Sequence, residues 1–298
     1  MIYFCADDYG IAKVCNDRIE TCAARGVLNK VSVLPNGELT DFKQRLSALG
    51  VKMSLHINLV EGYPLSDPGD IPLLVTEQGT FKYSFIGLFR LSFGPKREEM
   101  AEQLRRELQK QIAFWKEHMA DGPVCIDSHQ HTHMIPLIFK TLMGVIKEEQ
   151  LVVEAIRIPA EPLSPYILTP GLYTAYKPKG LIKQWLLQFL FVIDRRELKK
   201  AKLQHLYFMG ALFSGHLTEE KIRKLLPQYL KVAQRQKKDV EIALHPGYLE
   251  AGEHLMAGCQ PSFEKFYFSP WRKKEYDTLL NWEQYTKSTK EGSESALH

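Results

Sequence analysis

Apolar and polar positions along the chain follow two alternating rhythms. Short apolar runs recur at Ile2–Ala6, Lys30–Leu34, Lys52–Leu59, Val124–Asp127, Val153–Ile158, His205–Phe208 and Val240–Leu244, and each reads as a strand. Between them, apolar residues return every three or four positions, as on a helix. The clearest case is Arg97–Met119, where Met100, Leu104, Leu108, Ile112, Trp115 and Met119 share one face, charged residues occupy the other, and Gly122 follows as a stop. Ile11–Arg25, ended by Gly26, and a segment capped by Thr218 predict further helices.

About seven strands alternating with helices predict an α/β fold with a parallel sheet, closed as a barrel or left open. Either architecture puts its chemistry at the carboxyl ends of the strands. One barrel domain is expected over residues 1–285, followed by a polar tail over 286–298. Two stretches interrupt the alternation and predict lids or binding walls: Glu61–Lys96, with aromatic Phe81, Tyr83, Phe85 and Phe89, and Glu161–Lys179. The aromatics could stack on a sugar or simply pack the loop.

Composition narrows the partners. With 39 basic and 35 acidic residues the net charge is +4, too even to make nucleic acid the default partner. Five cysteines without a CxxC pair fit a reducing compartment. Met1 leads straight into "IYFCADDYG" with no secretory signal, so the expected location is cytoplasmic. The most apolar segment, Leu181–Ile193, is interrupted by Lys183, Gln184 and Gln188 and is too short to span a bilayer. It reads first as a buried helix, then as a subunit contact in a homodimer, and last as an interfacial membrane helix.

The predicted strand ends carry polar residues where a core would carry apolar ones: "ADDYG", "LHINL", "DSHQHTH", "IRIP" and "LHPG". Asp7 and Asp8 would repel one another unless a cation or a shared proton relieved them, although such a pair before Gly10 is also a turn signal. In "VCIDSHQHTHMIP", an extended chain would aim Asp127, His129, His131 and His133 at one side. His-x-His spacing recurs in many metal hydrolases and so points to a metal site without naming the reaction, and one Asp with two His leaves coordination positions open for water and substrate. His56 lies at another strand end among apolar neighbours. His245 ends the last strand, expected opposite the start of the barrel, where it could donate a proton to a leaving group or pack beside the Pro-Gly turn. Arg157 could hold a carboxylate or contact substrate.

These blocks, in this order from Ile2 to Tyr248, resemble the YdjC-like (ChbG/HpnK) carbohydrate deacetylases. The resemblance implies an irregular, incomplete (β/α) barrel similar to that of the polysaccharide deacetylases. It also implies removal of acetyl from an N-acetylated amino sugar or chitooligosaccharide-type substrate. Carried over, Asp8, His56 and His129 would bind one divalent metal ion, Zn or Mg. Asp7 would be the general base and His245 would assist the leaving amine, with His131 and His133 as supporting or substrate contacts. Two other classes stay open: another barrel metal hydrolase, such as a phosphoesterase or amidohydrolase, and a non-catalytic carbohydrate-binding protein that keeps a metal.

Overall fold

The computed structural model describes residues 1–119 and 122–294, and side chains as far as residue 282. Seven parallel strands form one sheet: β1 (Ile2–Tyr9), β2 (Lys30–Val33), β3 (Lys52–Ile57), β4 (Val124–Ser128), β5 (Val153–Ile156), β6 (Tyr207–Met209) and β7 (Val240–Leu244), in the order β5-β4-β3-β2-β1-β7-β6. The sheet curls until its edges meet at one point, where Ala155 bridges Gln204 and the Ile156 N–H donates to the Gln204 carbonyl at 3.0 Å. This is the expected α/β barrel of irregular, incomplete type. Strands buried on both faces need apolar or fully paired side chains, and β7, "VEIAL", is buried along its whole length, its Glu241 paired with cations inside the barrel.

Helices surround the sheet: α1 (Lys13–Arg25), α2 (Phe42–Ala48), α3 (Phe85–Leu91), α4 (Arg97–His118), α5 (Pro136–Glu148), α6 (Leu163–Ile167), α7 (Pro178–Ala201) and α8 (Glu219–Arg235) lie between strands, and α9 (Pro261–Glu264) and α10 (Pro270–Glu294) follow the last one. In α4 the apolar stripe is buried as the periodicity requires, but so are Gln103, Glu107 and Gln111 beside it. They fasten the loop after β3. Gln103 accepts from the Leu73 N–H, Glu107 from those of Leu65 and Ser66, and Gln111 from that of Asn58, at 2.8–3.1 Å. The interrupting stretches are therefore ordered walls carrying short helices.

Several expectations need correction. Thr218 stands at the N-cap of α8 without a side-chain cap bond, and Thr278 Oγ1 accepts from the Glu219 N–H at 3.2 Å instead. The apolar segment Leu181–Ile193 lies within α7 but is not a buried helix, because Ile182, Trp185, Phe189 and Val192 are exposed. Periodicity cannot distinguish a stripe facing the core from one facing outward. Helix α10 runs through the position where the polar tail was expected to begin, and residues 295–298 lie outside the described part. Among the described residues no helix is long and apolar enough to cross a membrane.

Candidate metal centre at the strand ends

Asp7 and Asp8 are neighbours, so a regular strand would point them to opposite faces. Asp8 instead has φ = 70°, and the pairing of β1 with β2 shifts register between Ala6 and Tyr9. A non-glycine residue in the left-handed region is uncommon and tends to mark a functional site. The irregularity brings both carboxylates to one cavity of ≈ 600 Å³, which His56, His129, His131 and His245 also line.

The proposed period-two run ends early. β4 stops at Ser128, and Gln130 and His131 take φ = 53° and 59°, so the chain coils just after His129. The four side chains therefore do not share one direction. Asp127 points into the barrel and His129 to Asp8, while His133 is enclosed, with Nε2 2.8 Å from the Arg157 carbonyl and Nδ1 beside Ser128 Oγ. His131 lines the cavity with Nδ1 unpartnered.

Asp8, His56 and His129 converge, with candidate ligand atoms all within 4.8 Å of one another. Asp8 Oδ1 lies 2.7 Å from His129 Nδ1 and 3.5 Å from His56 Nε2. His56 donates Nδ1–H to Asp127 Oδ1 at 2.5 Å, which leaves its Nε2 as the acceptor nitrogen. A carboxylate behind a histidine is the usual support for a ligating ring. Nε2 of both His56 and His129 is buried with no hydrogen-bond partner. Two orphaned imidazole nitrogens beside a carboxylate are a donor set that fits a divalent cation. Asp7, His56 and Asp127 form a second cluster of the right spacing, but its carboxylates are already occupied.

Their occupant is Arg157, at the end of β5. It grips Asp7 through both oxygens, at 2.6 and 2.9 Å, and also reaches Asp127 Oδ2 at 3.0 Å and Glu241 Oε1 at 2.5 Å. Lys30 adds a second cation 3.3 Å from Glu241. On the far side of Asp8, Oδ2 accepts from Tyr267 OH at 2.7 Å and lies 3.6 Å from Arg272.

The charge states follow from these contacts. Burial pushes the Asp7 carboxyl up, but the Arg157 guanidinium overcomes it and holds the group below the usual range. Burial is likewise outweighed at Asp8, where His129 and His56 keep the carboxyl well below its ordinary value. Burial favours neutral rings at His129 and His131, whose pKa values are lowered. At His56 burial acts the same way, yet Asp127, Asp8 and Asp7 raise its pKa to about 10. A field that would hold a proton there also attracts a metal cation.

His245 corrects one expectation. β7 pairs directly with β1, Leu244 opposite Ala6, so His245 lies beside the aspartates rather than across the barrel. Its N–H donates to Glu275 Oε2 at 2.6 Å, and its ring Nδ1 lies 3.6 Å from the same oxygen. Of the four aromatics expected near a sugar, only Phe85 lines the cavity, while Phe81 is buried in the core. The aromatic walls missed by sequence are Phe263, 5.0 Å from the His129 ring centroid, and Phe266. Tyr267, Arg272, Glu275 and Glu241 were missed as well. Tyr267, Arg272 and Glu275 sit in amphipathic runs with no local signal, whereas Glu241, a lone charge inside the apolar run "VEIAL", was a signal the spacing offered.

Comparisons with known proteins bear on the family and the fold. The model of the YdjC-like protein family matches residues 1–285. The chain is similar to chitooligosaccharide deacetylases of Escherichia fergusonii, 31% identical over 147 residues (48% of this chain, 54% of the relative), and Serratia marcescens, 31% over 136 residues (45% and 51%). These matches span about half the length of each curated relative. A crystal structure from Enterococcus faecalis V583, provisionally described as a cellobiose-phosphate cleavage protein, superposes with a TM-score of 0.62 at 18% identity, covering 95% of this chain and 91% of its own. That likeness supports the fold. From the ordered strand-end motifs, the curled parallel sheet and a family match over nearly its whole length, this chain belongs to the YdjC-like family.

Proposed function

We propose that the protein is a metal-dependent hydrolase that removes the acetyl group from an N-acetylated amino sugar or chitooligosaccharide, releasing acetate. The observation carrying this reading is the convergence of Asp8, His56 and His129, with two orphaned imidazole nitrogens, beside an Asp7 kept ionised by Arg157. The half-length similarity to chitooligosaccharide deacetylases supports the choice of substrate class.

A divalent ion, Zn or Mg, held by Asp8, His56 and His129 would polarise the amide carbonyl and acidify a bound water. Asp7 lines the same cavity and accepts the proton of the attacking water as general base. Arg157 keeps that carboxylate charged and fixed in direction, so Asp7 is ready as a base at neutral pH. His245, anchored through Glu275, supplies the proton that the departing amine requires. Tyr267 and Arg272 hold Oδ2 of Asp8 and leave Oδ1 toward the histidines. Phe85, Phe263 and Phe266 provide apolar walls for sugar rings. Five free cysteines, four of them buried, accord with a cytoplasmic location.

The test is acetate release from diacetylchitobiose by purified protein supplied with Zn or Mg, alongside elemental analysis. Asp8→Ala, His56→Ala and His129→Ala should lose bound metal, whereas Asp7→Asn should keep metal and lose turnover. Four variants that all retained metal would remove the site assignment. No acetate from any of a panel of acetylated sugars would remove the activity.

A further inference from the structure

Helix α7 carries an apolar surface that the proposed chemistry does not use. At 100° per residue, Leu181, Ile182, Trp185, Phe189, Val192 and Ile193 fall within one continuous arc. All six are exposed, Ile182 and Trp185 each at 69%. A soluble monomer rarely leaves so large an apolar patch open without a partner. The patch continues in two directions. Leu181 and Trp185 share an apolar groove with Leu163, Ile167 and Tyr173. Ile182 belongs to the wall of the catalytic cavity, whose rim also includes exposed Ile86 and Phe266.

Charge identifies the occupant. Lys177 and Lys179 stand at the start of α7, with no acidic residue in its first turn. The helix macrodipole disfavours cations there, so they do not serve the helix itself; both are exposed, Lys177 beside His216 and Trp271 and Lys179 at the wall of the cavity. At the other end, exposed Arg196 and Lys199 continue the same arc. With both ends basic, two copies of α7 packed in either direction would set like charges against each other. An anionic headgroup layer neutralises both ends while its acyl boundary takes the apolar centre. Basic residues flanking a Trp- and Phe-bearing apolar face are the mark of a helix lying in a membrane interface.

We propose that α7 docks the protein on the surface of an anionic lipid bilayer, with its apolar arc at the acyl boundary and the cavity mouth facing the headgroups. This rests on the surface of α7 and the apolar rim beside it, and it holds whatever reaction the cavity performs.

The full-length protein should be sedimented with vesicles of phosphatidylcholine alone and of phosphatidylcholine with phosphatidylglycerol, while tryptophan fluorescence is followed with brominated lipid as quencher and the part due to Trp185 is taken as the difference from Trp185→Ser. Binding to the mixed vesicles is expected, about tenfold weaker on phosphatidylcholine alone or in high salt. Trp185→Ser with Phe189→Ser should lower binding about tenfold or more. Arg196→Glu with Lys199→Glu should do so on the mixed vesicles, and it serves as the independent test should the first pair fold poorly by circular dichroism. Wild-type protein left in the supernatant, or both variant pairs binding as well as wild type, would overturn the proposal. So would a dimer that ignores vesicles and becomes monomeric in the Trp185/Phe189 variant, because the arc would then belong to a second copy. Acetate release from free diacetylchitobiose, measured on the same preparations, should be unchanged in both variant pairs. Its absence in the wild type would count against the deacetylase reading and leave the docking result standing.

Discussion

The strand-end cluster and the outer face of α7 break the usual partition of residues in opposite senses. At the strand ends and in the barrel interior beneath them, Asp7, Asp8, Asp127, Arg157 and Glu241 are charged and almost wholly enclosed; on α7, Trp185 and Phe189 are large, apolar and open. Burying charge costs free energy unless every ion is paired, and exposing apolar area forfeits the hydrophobic gain. The cluster offsets its cost internally, through the several contacts of Arg157. The α7 arc has no internal compensation, so whatever offsets it lies outside the described chain. Two departures from folding economy thus point to different ligands, a cation in one case and a lipid surface in the other.

The largest expected effect tests the interior. Asp7→Asn keeps shape but removes the base, and turnover should fall by a factor on the order of 10²–10⁴ while metal content is unchanged. An active Asp7→Asn enzyme would reduce the cluster to a structural ion network. Next is Arg157→Met, which strands Asp7, Asp127 and Glu241 without their guanidinium. Loss of one partner from such a buried set costs about 3–5 kcal/mol, read as a lowered Tm and denaturant midpoint. Arg157→Lys should not restore stability, because an ammonium cannot reproduce the forked contacts.

A third prediction probes α7 through its buried side. Asp194 faces inward with Oδ2 unpartnered, and burial, aided by Glu197, raises its pKa to about 8. Because the folded value exceeds the unfolded one, the native state is favoured most below about pH 4. Stability then declines as pH climbs through about 8, since the unfolded chain ionises first. Asp194→Asn should therefore raise Tm clearly at pH 8, by about 2–4 °C for each kcal/mol relieved, and hardly at pH 4. An equal shift at both pH values would place the carboxylate in contact with solvent. The smallest effect belongs to the exposed arc: Trp185→Ser should alter unfolding free energy by no more than about 0.5 kcal/mol. A larger loss would mean that the residue packs the protein rather than meeting a partner.

Much of this was legible beforehand, and the exceptions have physical causes. Seven strand positions followed from short apolar runs, and the polar residues closing those runs marked the region of the site, while the choice of Asp8, His56 and His129 within it came from the resemblance to the YdjC-like family. The direction of His131 and His133 was misread because alternation assumes an extended chain, and two left-handed residues end it after His129. The position of His245 was misplaced because sequence order puts β7 far from β1, whereas the sheet makes them neighbours.

By itself, the sequence determined the local facts: which segments extend, which coil, and which polar side chains close each strand, because hydrophobic rhythm and residue chemistry act over a few positions. Only the tertiary structure decided what those side chains meet. Arg157 finds partners on β1, β4 and β7, Asp8 is held by Tyr267 from the far end of the chain, and α7 turns its apolar arc outward. Such contacts depend on strand order and on which helix face the barrel covers, and neither is written in the spacing of residues along the chain.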